Sequence, residues 1–329
     1  MKYLENNVVY LVAPSFGCFL EPYKTRLDLA IKNFTKLGFK VIKGKNIFLG
    51  EEKFASTSSL NRAKEILDAF NSEASLILSV GGGEIENVIL PYINFGSLSS
   101  SKKIFMGFSD NTNTSFLLAT KSNIKSVYGL TAPSFFKITP LEKMTLDLLL
   151  GKIDTISGFD KYIDVSKSDK YKLRKQPYTI KKEIKTINSF TKVKGKLLGG
   201  CIDCLLTLCG TSFDNVSNHT NNNGEFIFYL ESCDLNPLQL RRGLFQLKNA
   251  RWFNNVNGFI FGRMQDLNNT ESSLNYTYFD AISDSLKDLN KPIIYGADLG
   301  HVGPSLPMIN NADAIVEYKN NNIFIKYLD

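Results

Sequence analysis

Ser109 stands where the apolar run "KIFMGF" gives way to "SDNTNTSFLL", a stretch with helical spacing. A serine on such a strand-to-helix turn has its hydroxyl near the positive end of a helix, where backbone N–H groups can meet a developing oxyanion. Gly107-Phe108-Ser109-Asp110-Asn111 resembles the G-x-S-x-G nucleophile turn without its second glycine. Serine, aspartate and asparagine are also good helix caps, so capping alone accounts for the same residues. Only two histidines are present. His219 lies in the polar run "SNHTNNNG", read as a loop. His301 lies in "ADLGHVGPSLPM", after a strand-like run and among glycines and prolines, a setting for a general base on a structured loop. Glu231 closes "EFIFYLE", where a carboxylate either orients an imidazole and stabilises its cation or simply faces solvent. Gly81-Gly82-Gly83 follows "LILSV" and precedes a helix-like run, so its backbone can approach an oxyanion or a phosphate. No Gly-Lys-Ser/Thr follows and the spacing is not G-x-G-x-x-G, so a tight turn competes with any ligand role.

The five cysteines, at 18, 201, 204, 209 and 233, have no framework spacing. Cys201-x-x-Cys204 lacks the second cysteine pair or the histidines that a zinc site needs. Leucines interleave with these residues, which fits buried free thiols on a helix. No metal and no organic cofactor is expected.

Elements must hold these groups in place, and the first 135 residues alternate between strand-like and helix-like runs. "VVYLVAPS", "KVIKGKNI", "ASLILSV" and "KIFMGF" read as strands, while "KTRLDLAIKNFTKLGF" and "SSLNRAKEILDAFNS" carry apolar residues at helical spacing. "EIENVILPYI" reads as a further helix. This alternation implies a parallel sheet with crossover helices, and such sheets bind ligands beyond their carboxyl strand ends. The pattern then changes. "KGKLLGGCIDCLLTLCGTSFD" reads as strand, Gly-Gly turn and helix, "GEFIFYLE", "VNGFIFGR" and "KPIIYGAD" as strands, and "PLQLRRGLFQLKNARWF" as a helix. "NADAIVEYKNNNIFIKYLD" reads as a hairpin around Asn320-Asn321-Asn322. The expected fold class is α/β: residues 1–150 as a parallel-sheet α/β domain with Ser109, 151–195 as a basic connector, and 196–329 as a smaller α+β domain with Glu231 and His301.

The formal net charge is +7, yet residues 160–196 alone hold 12 Lys and Arg against 4 Asp and Glu. Their aromatics form no nucleic-acid-binding motif, so a solvated Lys-rich connector is expected and no nucleic acid partner. No apolar run reaches the roughly 18 residues of a membrane span, and the N-terminus lacks the parts of a signal peptide. The expected setting is cytoplasmic.

Taken together, these segments resemble the LD-carboxypeptidase family of serine peptidases, which also contains the microcin C self-immunity peptidases. "VAPS", "FASTSSLNRAKEILDAF", "SVGGGEIENVILPYINF", "KKIFMGFSDNT", "VYGLTAPSF", "GKLLGGCIDCLLTLCGT", "FYLESCDLNPLQLRRGLFQL" and "GADLGHVGPSLPM" are similar to successive family segments over nearly the whole chain. The resemblance implies Ser109 as nucleophile, Glu231 as acid and His301 as base. It also implies an oxyanion hole from the backbone N–H of Asp110 and of Gly82 or Gly83, a β-barrel-like sheet in the C-terminal domain, and a homodimer. Acyl transfer through an acyl-enzyme follows, on a small murein-derived peptide or, alternatively, on an aminoacyl-nucleotide amide of the microcin type. The chain departs from the family where "GGNL" becomes Gly199-Gly200-Cys201-Ile202, where Met308 replaces a common glycine, and where residues 160–196 contain no tryptophan. After the Gly-Gly pair, Gly83-Glu84-Ile85-Glu86-Asn87 looks more like the self-immunity branch. An α/β-hydrolase esterase shares the order Ser, acid, His but predicts a helix after His301 where this chain shows a hairpin. A non-catalytic binding protein is the reading from another class, and the complete triad speaks against it.

Overall fold

The computed structural model describes residues 2–167, 172–264 and 275–328. In chain order the main elements begin with β1 (Val8–Val12), α1 (Tyr23–Lys36), β2 (Lys40–Lys43), α2 (Ser59–Asn71), β3 (Leu76–Ser79), β4 (Ile104–Gly107), α3 (Thr112–Thr120), β5 (Ser126–Tyr128) and α4 (Pro140–Leu149). Four short strands follow, β6 (Thr155–Ser157), β7 (Lys161–Ile163), β8 (Tyr178–Lys181) and β9 (Lys185–Ile187). Next come β10 (Lys192–Cys201), α5 (Ile202–Leu208), α6 (Val216–Asn223), β11 (Phe226–Glu231), α7 (Pro237–Asn249), β12 (Val256–Gly262), α8 (Tyr278–Leu286) and β13 (Ile293–Ala297). The chain closes with β14 (Met308–Asn310), β15 (Asp313–Lys319) and β16 (Asn322–Tyr327).

These elements form two compact units. The first comprises Met1–Asp154, Lys167–Gln176 and Pro307–Asn311, and the second Thr155–Ser166, Pro177–Leu306 and Ala312–Asp329. The Lys-rich segment thus contributes β7, β8 and β9 to the second unit and a short piece to the first.

The first unit holds a six-stranded sheet in the order β14-β5-β4-β3-β1-β2, parallel except for β14 against β5. Every residue of β3 and β4 is buried, which is why their sequences read as unbroken apolar runs. Helix α1 buries Leu27, Ala30 and Phe34, an i, i+3, i+7 stripe, and the Phe34 ring packs 5.0 Å from that of Phe135. Helix α2 starts at Ser58, whose side chain accepts from the Asn61 N–H. Its buried face includes Arg62 and Glu65 beside Ile66 and Ala69, two charges placed where apolar side chains are usual.

The second unit holds an eight-stranded mixed sheet in the order β6-β16-β15-β10-β11-β12-β13-β9. β10 to β13 run parallel, and antiparallel strands flank them. The sheet expected to resemble a barrel is an open one, ending on β6 and β9, which are not hydrogen-bonded neighbours. Hairpin β15–β16 turns at Asn320 and Asn321, whose φ values of 52° and 56° are those of a two-residue type I′ turn.

Three local readings change. Glu86–Tyr92 is a 3₁₀ segment rather than an α-helix, because Pro91 removes a donor inside it. Gly199-Gly200 is no turn: both glycines lie inside β10, where a Cβ on Gly199 would stand 1.8 Å from the Tyr229 carbonyl oxygen of the adjoining strand. His219, expected in a loop, is buried in α6, with its ring 5.4 Å from that of Phe226 and Nδ1 3.3 Å from Asn223 Nδ2, a structural setting.

Candidate active site

Three strand ends of the first unit meet at Ser109. After β1, the Ser15 hydroxyl donates to Asp110 Oδ2 at 2.5 Å. After β3, the Phe16 N–H donates to the Gly82 carbonyl at 3.0 Å, and a Cβ on Gly82 would lie 3.0 Å from Ser109 Cβ. After β4, Phe108 is extended and Ser109 turns to φ 59°, with Asn111 Oδ1 accepting from the Phe108 N–H at 3.2 Å. Ser109–Asn111 form a 3₁₀ turn with Phe108 at its N-cap, and Asn111 is the N-cap of α3, so Ser109 caps neither. A non-glycine residue in the left-handed region costs about 1–3 kcal/mol, so the surrounding contacts must over-determine it. Two of these glycines are sterically required: a Cβ on Gly107 would meet Asn111 Oδ1 at 2.5 Å, and one on Gly83 would meet Ser15 Oγ at 2.1 Å. The structure thus brings Ser109, Asp110, Gly82 and Gly83 together.

Beneath the turn lies a buried charged cluster. Asp110 Oδ2 also accepts from the Glu86 N–H at 2.8 Å, and Oδ1 accepts from Asn113 Nδ2 at 3.0 Å. Glu86 Oε2 accepts from Asn111 Nδ2 at 2.5 Å and Oε1 from the Thr114 N–H at 3.3 Å. Arg62 Nη1 donates to the carbonyls of Pro14, at 3.0 Å, and Ile85, at 3.3 Å, tying together the loops after β1 and β3. Burial, helped by the nearby Asp110 charge, pushes the Glu86 carboxyl up to about 8. Burial also raises Asp110 above the usual carboxylate range, against the hydrogen bonds from Ser15 and Glu86.

The second unit brings Glu231 and His301 together. Glu231, the last residue of β11, is fully buried, and its Oε2 accepts from His301 Nδ1 at 2.8 Å and from the His301 backbone N–H at 3.2 Å. Between them, Gly300 has φ 92°, and a Cβ there would lie 2.3 Å from Glu231 Oε2. Burial alone would lower the His301 pKa. The Glu231 charge, with smaller help from Cys233, outweighs it and raises the ring to about 11.

The loop carrying His301 is clamped by a buried ionic group. Arg263 Nη1 donates to Asp298 Oδ1 at 2.7 Å, and its Nη2 to the carbonyls of Val302, at 2.9 Å, and Pro304, at 3.3 Å. Asp298 Oδ2 accepts from Lys182 Nζ at 2.9 Å and from the Phe159 N–H at 2.6 Å. The Gly300 N–H donates to Ser305 Oγ at 3.0 Å. Sequence reading missed Arg62, Glu86, Lys182, Arg263 and Asp298. Arg62 alone gave a signal, as a charge on the apolar stripe of α2.

Cys201 and Cys204 are free thiols, as are the other three cysteines. Among the described residues no group of three or more His, Cys, Asp or Glu is placed to hold a metal ion, and no helix is long and apolar enough to cross a membrane.

Residues 9–129 match the LD-carboxypeptidase N-terminal domain and residues 194–316 the LD-carboxypeptidase C-terminal domain. The chain is 24% identical over 313 residues to the microcin C7 self-immunity protein MccF of Escherichia coli, covering 92% of this chain and 88% of that protein. It is 21% identical over 314 residues to the probable murein peptide carboxypeptidase of Bacillus subtilis, covering 94% and 88%. Its fold matches that of MccF in complex with aspartyl sulfamoyl adenosine with a TM-score of 0.78 at 20% identity, covering 97% of this chain and 96% of that one.

Proposed function

Because this chain belongs to the LD-carboxypeptidase family of serine-type carboxypeptidases, we propose that it hydrolyses an amide through an acyl-enzyme on Ser109, with His301 as base and Glu231 as the acid that orients it. The observation that carries the proposal is the 2.8 Å bond between Glu231 Oε2 and His301 Nδ1. It commits Nδ1 to the carboxylate and leaves proton transfer to Nε2. Ser109 at φ 59°, between a buried strand and a helix, has the strained backbone of a nucleophile turn.

In the proposed reaction, His301 Nε2 takes the Ser109 hydroxyl proton as Oγ attacks the amide carbonyl carbon. The backbone N–H of Asp110, with that of Gly82 or Gly83, holds the oxyanion. The imidazolium returns its proton to the leaving amine, and water then releases the acyl group by the same route in reverse. No metal or organic cofactor enters these steps.

The proposed substrate is a small murein-derived peptide with a terminal D-residue, by likeness to the murein peptide carboxypeptidase. A second substrate, an aminoacyl-nucleotide amide of the microcin type, is favoured by the likeness to MccF and by the run Gly83-Glu84-Ile85-Glu86-Asn87. Assembly as a homodimer belongs to the same proposal, and sedimentation at equilibrium tests it. Incubation with a murein tetrapeptide and, separately, with an aminoacyl sulfamoyl adenosine, read by mass spectrometry beside Ser109→Ala, separates the substrates. Cleavage of neither removes both substrate readings, and full activity in Ser109→Ala removes the nucleophile.

A further inference from the structure

The first unit contains a cleft of about 430 Å³ with a wall that the catalytic reading leaves unused. Four cationic residues line it: Arg26, from the first turn of α1, and Lys172, Arg174 and Lys175 from the Lys-rich segment. Among the described residues that line it, none is an aspartate or glutamate and none belongs to the Ser109 turn. We propose that this cleft binds the phosphate group of a small phosphorylated molecule.

The cations are arranged rather than merely crowded. The Arg26 guanidinium carbon lies 5.0 Å from the centre of the Phe136 ring and 5.9 Å from that of Tyr23. Lys175 Nζ lies 5.1 Å from the Phe136 ring centre. Arg26 Nε donates to the Lys172 carbonyl at 2.6 Å, which ties the segment to the helix. Lys175 Nζ donates to the Ser134 carbonyl and to Glu142 Oε1, both at 2.6 Å. Long basic side chains normally lose rotamer freedom when they close on an anion, and aromatic faces and carbonyls that already hold them reduce that loss.

Charge and volume indicate the ligand class. Glu142 pairs with Lys175 from outside the lining, and no carboxylate is among the described residues that line the cleft. At the start of α1 the Glu21 carboxylate accepts from the Thr25 N–H at 3.3 Å, so the cationic side chains, not the helix end, supply the positive field. A dianion answered by arginine forks and lysine point charges is the chemistry of a phosphate monoester, and the cleft has the size of a small-molecule site. A solvated basic connector would need none of this order. The inference does not depend on the triad.

Isothermal titration calorimetry on the full chain tests it, with pyrophosphate, glycerol 3-phosphate and citrate as probes at ionic strength fixed with KCl. Saturable one-to-one binding of the phosphates, tighter than of citrate, is expected, and Ser109→Ala should bind equally well. Arg174→Gln and Lys172→Gln, both at exposed positions, should each weaken binding about tenfold with unchanged melting temperature. Arg26→Gln should weaken it further. Lys36→Gln, at the far end of α1, removes the same charge and should leave affinity unchanged. Absence of saturable heat, citrate binding as tightly as phosphates, or equal weakening by Lys36→Gln and Arg174→Gln would overturn the assignment.

Discussion

The two units prepare their proposed catalytic groups by different physical means. The first fixes Ser109 through backbone geometry: a left-handed residue held by tight glycines and by a buried carboxyl cluster beneath the turn. The second fixes His301 through charge: a buried carboxylate on one ring nitrogen and an arginine–aspartate–lysine clamp on its loop. A nucleophile needs its atom in one place, which steric contacts secure. A base also needs a set proton affinity, which only neighbouring charge and burial can tune. Substitutions should therefore separate the units, with pH-dependent kinetic effects expected from the second.

The largest effect is expected from Glu231→Gln. Loss of the carboxylate should lower kcat by roughly 10⁴-fold, as in other serine triads. The acid limb of the pH–rate profile should also move. Wild-type kcat/KM should climb with pH through the neutral and alkaline range, because Glu231 raises the proton affinity of His301 to about 11. In the variant burial is opposed only by Cys233, and the limb should move to lower pH. An unmoved limb would show that the pair does not set the base.

Gly300→Ala should come next. Its Cβ would lie 2.3 Å from Glu231 Oε2 at a φ of 92°, so the pair must separate. A shift of about 1 Å in such a group costs on the order of 10²-fold in kcat/KM, which steady-state kinetics would register. Retained activity would mean that the loop accommodates the methyl group without moving the imidazole.

Arg263→Met should lower stability by about 3 kcal/mol, since it strips Asp298 of one of two buried cations and leaves the Val302 and Pro304 carbonyls without this donor. Urea unfolding measures this, and kcat should drop about tenfold under folding conditions. Arg263→Lys should recover part of the stability but less of the rate, because an ammonium cannot span the carboxylate and both carbonyls.

The smallest effect tests the first unit. Glu86 titrates near 8 when folded and near its ordinary value of 4.5 when unfolded. Between these values the folded state binds the extra proton, so stability is highest below 4.5 and declines as pH rises through 8. His301 contributes in the same direction at higher pH: its stabilising share is complete below 6.5 and is lost as pH rises through about 11. Glu86→Gln should flatten the fall in melting temperature between pH 5 and pH 8. An identical slope in both proteins would show that Glu86 does not hold the extra proton in the folded state.

Legibility in the sequence follows how local each feature is. Strands β3 and β4 and helix α1 could be read directly, because burial on both faces or along one stripe leaves its period in the residues. The β15–β16 turn was legible in its asparagines, which tolerate positive φ. Gly199 misled, because glycine marks a close approach of strands as readily as a turn, and only the pairing of β10 with β11 decides. Glu231, His301 and Ser109 were each weak candidates alone, and only the resemblance of their segments to the LD-carboxypeptidase family joined them. Lys182, Asp298 and Arg263 could not be found, because partners 35 and 116 residues apart leave no period in the sequence.

The central claim is that Ser109 is activated by His301 and Glu231. A fluorophosphonate probe followed by tryptic mass spectrometry measures this most directly, since the probe transfers its phosphonyl group to an activated serine and releases fluoride. Labelling of wild-type protein on the Ser109 peptide alone, with the rate reduced at least about 100-fold in His301→Ala and in Glu231→Gln, is the predicted result. A label on another residue, or equal labelling rates in all three proteins, would contradict it.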